Sequence, residues 1–320
     1  MKIYAVIVTF NRLALLKRSI EAVRAQTRTP DSIIVVNNCS TDGTAEYLDG
    51  LAAAGAVVHL PLPRNVGGAG GFKAGLKYAV EDGCDWAWLM DDDTIPRPDA
   101  LARLELASSA APDVGFVCSK AVWTDGKVHR MNIPGFYAPS KYEPINRFSR
   151  PDCPVFTCSQ ATFVSFMVSA VAVRKVGLPL EELFIWSDDI EYSRRIVKEG
   201  GMLGMYIDDS IVVHATATNT GGTWATSPQS ECWKFFYQAR NERYLTGRNR
   251  LWIVRLLSNL NYIRRMRRRI NRRPGNDRKE FRKVLWKGTV ASMTFKTKVD
   301  YVDDSKKAAV KLLTLLTCTI

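Results

Sequence analysis

Three consecutive carboxylates, Asp91, Asp92 and Asp93, directly follow an apolar run at residues 86–90. Charges this close repel one another and are costly to hold together unless a cation neutralises them. Carboxylate oxygens are preferred ligands of Mg²⁺ and Mn²⁺, and a diphosphate would complete the coordination shell. A solvated acidic turn is the alternative, so the triplet alone does not decide whether a metal binds here.

A second acidic pair, Asp188 and Asp189, opens a helical pattern at residues 190–198. Acidic side chains in the first turn of a helix can simply cap it. Beside a diphosphate site, one of them could act as a general base, because neighbouring acids and partial burial tune its pKa. His214 follows a strand pattern at residues 211–213. It is either an ordinary surface or core histidine or a nitrogen ligand of the same metal.

Four glycines lie between Asn65 and Phe72, directly before a helical pattern at residues 72–81. Glycines there let the backbone approach a ligand closely, and free N–H groups at a helix start attract phosphate. The spacing matches neither the dinucleotide-binding fingerprint nor the P-loop. A purely structural glycine turn is the alternative.

Small polar side chains follow the first two predicted strands. They can contact a base and a ribose, although a segment such as residues 42–44 also makes an ordinary turn and helix cap. The candidates are Thr9, Asn11 and Arg12 after the first strand, and Asn38, Ser40 and Asp42 after the second.

The elements that must position these residues alternate between strand and helix. Apolar runs predict strands at residues 2–9, 32–36, 56–60 and 86–90, and helical spacing predicts helices at 13–23, 44–51 and 72–81. This alternation predicts an α/β fold with an open, doubly wound and mostly parallel sheet. Ligands bind beyond the C-terminal strand ends of such sheets, which is where the polar clusters fall.

The regular alternation of strand and helix patterns ends at residues 125–154. Five prolines there predict a long irregular segment that runs over the face of the protein where the polar clusters lie. Strands are then predicted at 161–168 and 205–213, with a helix at 190–198 between them and a loop at 215–230. From residue 231 the pattern is helical to about residue 270, and again in patches to the C-terminus.

The composition describes a globular protein of one large or two modest domains, with 320 residues, 46% hydrophobic residues and a mean hydropathy of −0.12. It contains no run of about 18 apolar residues, and its opening residues show no cleavage site, so we expect neither a membrane span nor a signal peptide. Seven scattered cysteines, with Cys153 and Cys158 the one close pair, predict free thiols in a reducing cytoplasm.

Positive charge is concentrated near the C-terminus, where residues 240–283 carry 16 Lys and Arg against 3 Asp and Glu. The resulting +13 equals the net charge of the whole chain. An apolar stripe with helical spacing crosses this segment, formed by Trp252, Leu256, Leu260, Ile263, Met266 and Ile270. The pattern suits a helix on an anionic bilayer, where each nearby basic residue adds about 1 kcal/mol of attraction. Packing of the stripe on the rest of the protein and nucleic-acid binding are the alternatives, and no nucleic-acid-binding motif accompanies the arginines.

Taken in order, these residues resemble the family 2 glycosyltransferases of the GT-A fold, which transfer sugars from nucleotide-sugar donors with inversion. The resemblance covers about residues 1–245 and rests on five motifs, at residues 9–12, 38–44, 65–72, 91–93 and 188–189. Residues 65–72, 88–93 and 184–189 are most similar to the bacterial galactofuranosyltransferase branch, and residues 233–241 resemble an acceptor-side helix of that branch and of rhamnosyltransferases. Many relatives carry Asp where this chain has Asn37, an acid that contacts uracil, so the base is open between uracil and thymine.

The resemblance implies a role for each matching residue. Asp91, Asp93 and His214 would bind Mn²⁺ or Mg²⁺, with Asp91 and Asp92 also contacting the donor. Asp189 would be the catalytic base that deprotonates the acceptor hydroxyl. The other implied donor contacts are Thr9, Asn11, Arg12, Asn38, Ser40, Asp42, Asn65, Gly68 and Gly71, and the implied acceptor contacts are Trp186, Asp188 and Trp224.

From these implications we expect a metal-dependent inverting glycosyltransferase that moves galactofuranose from UDP-galactofuranose onto a polyprenyl-diphosphate-linked glycan, in bacterial surface polysaccharide or O-antigen synthesis. A dTDP-rhamnose-dependent rhamnosyltransferase is the alternative within the class, and a non-catalytic peripheral membrane or nucleic-acid-binding protein is the alternative outside it. The expected domains are a catalytic domain at 1–230, with a nucleotide-sugar half at 1–121 and an acceptor half at 122–230, and a helical basic region at 231–320. The expected location is cytoplasmic, on the inner face of the bacterial cytoplasmic membrane.

Overall fold

The computed structural model describes residues 1–136, 155–274 and 276–303. Within them, ten strands form one mixed sheet: β1 (Ile3–Thr9), β2 (Ser32–Asn37), β3 (Val58–Pro61), β4 (Trp86–Asp91), β5 (Thr94–Pro96), β6 (Val114–Val122), β7 (Gly135–Phe136), β8 (Val155–Gln160), β9 (Phe166–Ser169) and β10 (Leu203–His214). The α-helices of the same residues are α1 (Leu13–Arg24), α2 (Thr44–Ala53), α3 (Gly67–Glu81), α4 (Ala100–Ser108), α5 (Ala170–Val176), α6 (Asp188–Lys198), α7 (Cys232–Gly247), α8 (Trp252–Ile270) and α9 (Arg278–Thr294).

The strand order is β3-β2-β1-β4-β9-β6-β10-β8-β7, with β5 paired to β10. Parallel pairs join β3, β2, β1 and β4, and a further parallel pair joins β6 and β10. β9 lies antiparallel between β4 and β6, so these two groups of strands point the same way. The predicted open and mostly parallel sheet is therefore confirmed, with β5, β8 and β9 as antiparallel additions.

Helices cover both faces of the sheet. Val6 and Val8 of β1 belong to the core shared with α3, α5 and α6, whereas Ile7 belongs to the core shared with α1, α2 and α4. A strand buried on both faces needs apolar residues at successive positions, which explains the continuous apolar run of β1. In α1, the buried residues Leu16, Ile20 and Val23 recur at helical spacing and face the sheet.

Two elements differ from the sequence prediction. α3 begins at Gly67 rather than at residue 72, so the four glycines lie inside the helix. The predicted strand at 161–168 is confirmed only at residues 166–168, which belong to β9, whereas residues 161–165 form a turn between β8 and β9. Phe163 and Val164 of that turn are buried in the core, which gives the turn the apolar composition of a strand.

The C-terminal helices α7, α8 and α9 share a third core that includes Phe235, Tyr262, Met266, Ile270 and Phe281. The predicted single helical stretch from residue 231 to 270 breaks between α7 and α8. Among the described residues, no helix is both long and apolar enough to cross a membrane.

Among the described residues, the cysteines at positions 39, 118, 158 and 232 lie outside any disulfide, as predicted. Cys153 and most of the predicted excursion at 125–154 lie outside the described residues.

Candidate functional site

The predicted metal ligands come together at the C-terminal edge of the sheet. One carboxylate oxygen each from Asp91 and Asp93 and one ring nitrogen of His214 all lie within 4.8 Å of one another. β10 carries His214 to this place, because its last residues pair with β5 directly after the acidic triplet, with His214 opposite Thr94. Two carboxylates and an imidazole at this spacing form a ligand set suited to Mn²⁺ or Mg²⁺.

Two features of the cluster favour a shared cation at this position. Asp93 Oδ1 is buried without a hydrogen-bond partner, 3.2 Å from His214 Nε2. Asn132 donates through Nδ2 to Thr162 Oγ1, 2.8 Å away, so its Oδ1, 2.8 Å from His214 Nδ1, accepts the Nδ1 proton. His214 Nε2 is then left facing a carboxylate oxygen, and the two need a shared cation, either a proton or a divalent ion. A histidine held through its other nitrogen is the usual arrangement in metal sites.

Asp92 points away from this cluster toward the end of β1. Its Oδ2 accepts hydrogen bonds from Thr9 Oγ1 at 2.8 Å and from the Phe10 N–H at 3.4 Å. Arg12 Nη1 lies 3.3 Å from Asp92 Oδ1 and 2.8 Å from Asp93 Oδ2. The structure thus separates the triplet, with Asp91 and Asp93 on the candidate metal site and Asp92 beside the β1 loop, and the contact of Asp92 with the donor stays a prediction.

The pKa values of the triplet reflect crowding of negative charge. Burial raises the pKa of Asp91 well above its ordinary value, and the neighbouring charges of Asp93 and Asp92 raise it further. Burial also raises the pKa of Asp92, to about 6, although Arg12 opposes the shift. Burial would raise the pKa of Asp93 too, but His214 and Arg12 hold it below its ordinary value. A divalent cation would relieve the repulsion that acts on Asp91.

The second acidic pair occupies the first turn of α6, and Asp188 lies near the acidic triplet. Asp188 is buried and contributes to the raised pKa of Asp91. Burial, reinforced by Asp189, raises the pKa of Asp188 to about 8. Burial raises the pKa of Asp189 to about 6. A carboxylate that titrates near neutral pH is suited to accept a proton from a hydroxyl.

An unusual backbone leads into α6. Phe184, Trp186 and Ser187 have φ values of 65°, 64° and 73°. Residues other than glycine in this region cost about 1–3 kcal/mol each and persist only where their surroundings hold them. Such strain gathers at functional sites, and this segment leads directly to Asp188 and Asp189, whose roles stay predictions.

The predicted donor residues after β1 and β2 form two loops joined by hydrogen bonds. The Asn11 N–H donates to Ser40 Oγ at 3.0 Å, and Asn11 Oδ1 accepts from the Thr41 N–H at 2.7 Å. Asp42 Oδ2 accepts from the Leu13 N–H at 3.0 Å and thereby caps α1. These loops lie at the same edge of the sheet as the acidic triplet, because β1 pairs with β2 on one side and β4 on the other.

The predicted glycine loop is largely occupied by internal contacts. Asn38 is buried, and its amide accepts from the Val66 N–H at 2.9 Å and donates to the Gly67 carbonyl at 3.0 Å. The Gly67 N–H donates to Asn65 Oδ1 at 2.8 Å, and the Ala69 N–H donates to the Phe184 carbonyl at 3.1 Å. The bonds of Asn38 and Asn65 here are structural, and their contact with the donor stays a prediction.

The two glycines predicted to contact the donor differ in their surroundings. A Cβ on Gly71 would lie 2.6 Å from Val8 Cγ1, so this glycine allows α3 to pack closely on β1 and is not open to a ligand. A Cβ on Gly68 would have no neighbour within 4 Å. The prediction for Gly71 is therefore corrected, and Gly68 remains the candidate.

One of the predicted acceptor residues is also corrected. Trp224 is 2% exposed, and its ring lies 4.7 Å from that of Phe235, so it is a core residue without a face for a ligand. Trp186 is half-buried at the start of α6, 5.4 Å from Phe235, and stays a candidate. Sequence reasoning missed Asn132, which lies in a proline-rich segment without regular spacing and gives no local signal of its contact with His214.

Residues 4–171 match the sequence profile of "Glycosyl transferase family 2". The chain belongs to this family. It is 30% identical over 251 residues to "Galactofuranosyltransferase GlfT1" of Mycolicibacterium smegmatis, an alignment that covers 75% of the chain and 82% of that relative. The family 2 assignment confirms the predicted glycosyltransferase activity and argues against a non-catalytic protein.

Two solved structures share the fold of this family 2 glycosyltransferase. One is GalNAc-T7 with UDP, GalNAc and Mn²⁺, with a TM-score of 0.56, 16% identity, and coverage of 76% of this chain and 51% of that chain. The other is the mannosyltransferase PcManGT from Pyrobaculum calidifontis with GDP-Man and Mn²⁺, with a TM-score of 0.51, 14% identity, and coverage of 99% of this chain and 80% of that chain. At these identities the likeness supports the GT-A fold.

Proposed function

We propose that this enzyme transfers galactofuranose from UDP-galactofuranose, with inversion and with the help of Mn²⁺ or Mg²⁺, onto a lipid-linked bacterial glycan. The observation that carries the metal-dependent transfer is the cluster of Asp91, Asp93 and His214, in which a buried oxygen of Asp93 has no hydrogen-bond partner. The choice of sugar is supported by the 30% identity to a galactofuranosyltransferase.

In the proposed reaction, the acceptor hydroxyl oxygen forms a bond to the anomeric carbon of the donor. The bond between that carbon and the diphosphate oxygen breaks on the opposite face, and its electron pair leaves with the nucleoside diphosphate. Asp189 accepts the hydroxyl proton, a role suited to a carboxylate with a pKa of about 6. Asp91, Asp93 and His214 would hold the metal, which when bound supplies positive charge beside the leaving diphosphate.

The donor would lie over the loops after β1 and β2. Asn11, Ser40 and Asp42 fix these loops to one another, so the edge that receives the nucleotide is formed before binding. Arg12 lies between this edge and the acidic triplet, where its guanidinium can contact a diphosphate oxygen while it remains beside Asp92. Thr9 holds Asp92 in place.

The acceptor would be presented at a membrane surface. The beginning of α8 exposes apolar residues. Leu251, directly before the helix, is 75% exposed, and Trp252 and Leu257 within it are 72% and 62% exposed. α9 adds Trp286 and Val290, 58% and 46% exposed. We call these five residues the apolar face. Its neighbours in α8 are the exposed arginines 264, 265, 267, 268 and 269, so an apolar surface beside a basic surface faces outward, as in helices that lie on anionic bilayers.

The predicted stripe of α8 thus divides into two parts. Trp252, Leu256 and Leu260 are exposed, whereas Met266 and Ile270 are buried against α9. The packing alternative holds for the second half of the helix. Membrane contact at the inner face of the cytoplasmic membrane remains the proposal for the first half.

Titration of UDP into the protein, with and without Mn²⁺, tests the metal-dependent donor site. We expect binding that Mn²⁺ strengthens and that is lost in Asp93→Asn, while Asp113→Asn, a change of the same kind at the opposite end of the sheet, leaves it unchanged. An equal UDP affinity with and without Mn²⁺ would contradict the proposal.

A transfer assay with a panel of nucleotide sugars tests the donor. We expect turnover with UDP-galactofuranose and a lipid-linked glycan fraction, and a product with inverted anomeric configuration. Turnover with dTDP-rhamnose alone would establish the rhamnosyltransferase alternative.

A further inference from the structure

The segment Phe184–Ser187 joins three parts of the molecule at the candidate site. Its Phe184 carbonyl accepts the Ala69 N–H of α3, next to the predicted donor site. The Phe184 ring stacks on Tyr237 of α7, with centroids 4.7 Å apart and planes 19° apart. At its other end, the Ser187 carbonyl accepts the Glu191 N–H at 2.9 Å and starts α6. Asp188 and Asp189 follow directly, so the path of this segment sets where their carboxylates lie.

One side chain holds this segment from the C-terminal helices. Asn241 of α7 is fully buried. Its Nδ2 lies 2.9 Å, 3.1 Å and 2.8 Å from the carbonyl oxygens of Leu183, Ile185 and Trp186. The segment contains three residues other than glycine with positive φ, a conformation that needs support from outside. Carbonyl oxygens that a regular helix or strand would pair are paired here by a single amide.

A neighbouring residue completes the contact. Arg240 Nε donates to Asn241 Oδ1 at 3.0 Å, and this bond fixes which side of the amide faces the segment. Arg240 Nη2 donates to the carbonyls of Glu182 at 2.6 Å and Leu183 at 3.2 Å. Together, the amide of Asn241 and the guanidinium of Arg240 reach four backbone carbonyls, those of Glu182, Leu183, Ile185 and Trp186.

We propose that Asn241 is a positioning residue for the transfer reaction: its amide holds the strained segment Phe184–Ser187 and thereby places Asp189 against the acceptor hydroxyl. The inference rests on the proposed role of Asp189 as the base. It makes α7 part of the catalytic apparatus, although the sequence assigned α7 to a separate C-terminal region. An Asn241 variant keeps the donor loops and the metal ligands, so it loses turnover rather than donor binding.

The test compares Asn241→Ala with Asn259→Ala, a buried asparagine of α8 that contributes no hydrogen bond to the segment. Steady-state transfer is measured with the donor and acceptor that the nucleotide-sugar panel selects, and UDP affinity is measured by calorimetry with Mn²⁺. For Asn241→Ala we expect kcat to fall about 100-fold, the loss expected for a misplaced reacting group, with donor KM and UDP affinity within about twofold of wild type. Asn259→Ala should keep kcat within about threefold of wild type. This difference in kcat is expected even if the two variants have equally lowered unfolding temperatures.

Hydrogen exchange provides a readout that does not depend on activity. Peptides covering residues 182–190 should exchange faster in Asn241→Ala than in wild type or Asn259→Ala, because the strained segment loses its support. If Asn241→Ala does not fold, Asn241→Ser, which keeps one donor at this position, takes its place in both measurements.

The positioning role of Asn241 would be overturned if the Asn241 and Asn259 variants had equal kcat values and unchanged hydrogen exchange at residues 182–190. In that case Asp189→Asn would still be inactive, and the proposed base would stand. An active Asp189→Asn enzyme would instead overturn the proposed base, so the two failures are distinguishable.

Discussion

The hydrogen bond between His214 and Asn132 decides which ring nitrogen faces Asp93. With the Nδ1 proton donated to Asn132, Nε2 points its lone pair at the candidate metal position. His129, which is buried, packs on the His214 ring with centroids 4.6 Å apart. Two side chains from the segment after β6 thus contact the His214 imidazole at the candidate metal site.

Removing this support should weaken metal binding. For Asn132→Ala we expect Mn²⁺ affinity, measured by calorimetry in the presence of UDP, to fall by about 10- to 100-fold. This is the usual loss when a residue that orients a metal ligand through a hydrogen bond is removed. Asn219→Ala is the matched control, because Asn219 accepts from the Arg130 N–H in the same region and does not contact His214. Equal affinities for the two variants would show that Asn132 does not orient His214.

The acid at the start of α6 should control turnover. We expect Asp189→Asn to lower kcat by about 100- to 10,000-fold, the usual contribution of a general base, and to leave UDP affinity unchanged. Glu199→Gln, an exposed acid at the end of the same helix, should retain activity. A large loss of UDP binding in Asp189→Asn would show that this carboxylate binds the donor.

The pH dependence of turnover should follow from the same residue. Asp189 must be deprotonated to accept a proton, and burial raises its pKa to about 6. Turnover is therefore expected to be full above this pH and to decline as the pH falls through about 6. Rates measured between pH 5 and pH 8 provide the check, and an activity that rises toward lower pH would contradict the role.

At the scale of elements, α3 shows why its glycines are needed. Gly71 and Gly75 approach Val8 and Val6 of β1 so closely that a Cβ would lie 2.6 Å and 2.4 Å from them. The helix can then lie directly on the strand that leads to the site. The glycine-rich sequence was interpreted as a ligand loop, but Gly71 serves this packing, Gly67 has a positive φ and lies against the Phe184 backbone, and Gly68 alone of the three faces open space.

A pair of substitutions in α3 tests this interpretation. Gly71→Ala should lower the free energy of unfolding by about 1–3 kcal/mol, because the new methyl group overpacks the contact with Val8. Gly68→Ala should be neutral or slightly stabilising, since its Cβ meets open space and alanine favours the helix. Urea denaturation measures both, and equal destabilisation would contradict the packing role of Gly71.

At the scale of the whole molecule, the net charge of +13 equals the charge of residues 240–283. The helices that carry it also carry the apolar face. The side of the molecule that these helices form therefore combines positive charge with exposed apolar residues, and the proposed membrane contact rests on that combination. The candidate site is connected to that side through α7, whose Asn241 contacts the segment before α6.

Flotation with phosphatidylglycerol-containing vesicles tests the membrane contact. We expect the wild-type protein to float at low salt, and the variant Trp252→Ser/Leu257→Ser to float at least about tenfold less, since burial of a large apolar side chain contributes about 1.5–3 kcal/mol. Val171→Ser, which changes a 65% exposed apolar residue of α5, is the control. A wild-type protein that stays at the bottom of the gradient at low salt would contradict the proposal.

The sequence by itself determined the elements whose residues interact locally. Alternating strand and helix patterns predict β1 to β4 and α1 to α3 closely, because apolar spacing follows directly from which faces are buried. The acidic motifs and their order identify the family, since chemistry at strand ends depends on residue type and spacing. The same reasoning from local pattern fails at 161–165, where a buried turn has the apolar composition of a strand.

Only the tertiary structure decided which distant side chains meet. His214 and Asn132 are 82 positions apart, and Asn241 lies 55 positions from Trp186, so neither contact leaves a periodic trace in the sequence. The structure also decided that Trp224 and Gly71 pack in the interior and that half of the α8 stripe is covered by α9. These outcomes depend on how whole helices and strands pack on one another. Such packing brings together residues that are far apart in the sequence, so a local sequence pattern does not reveal it.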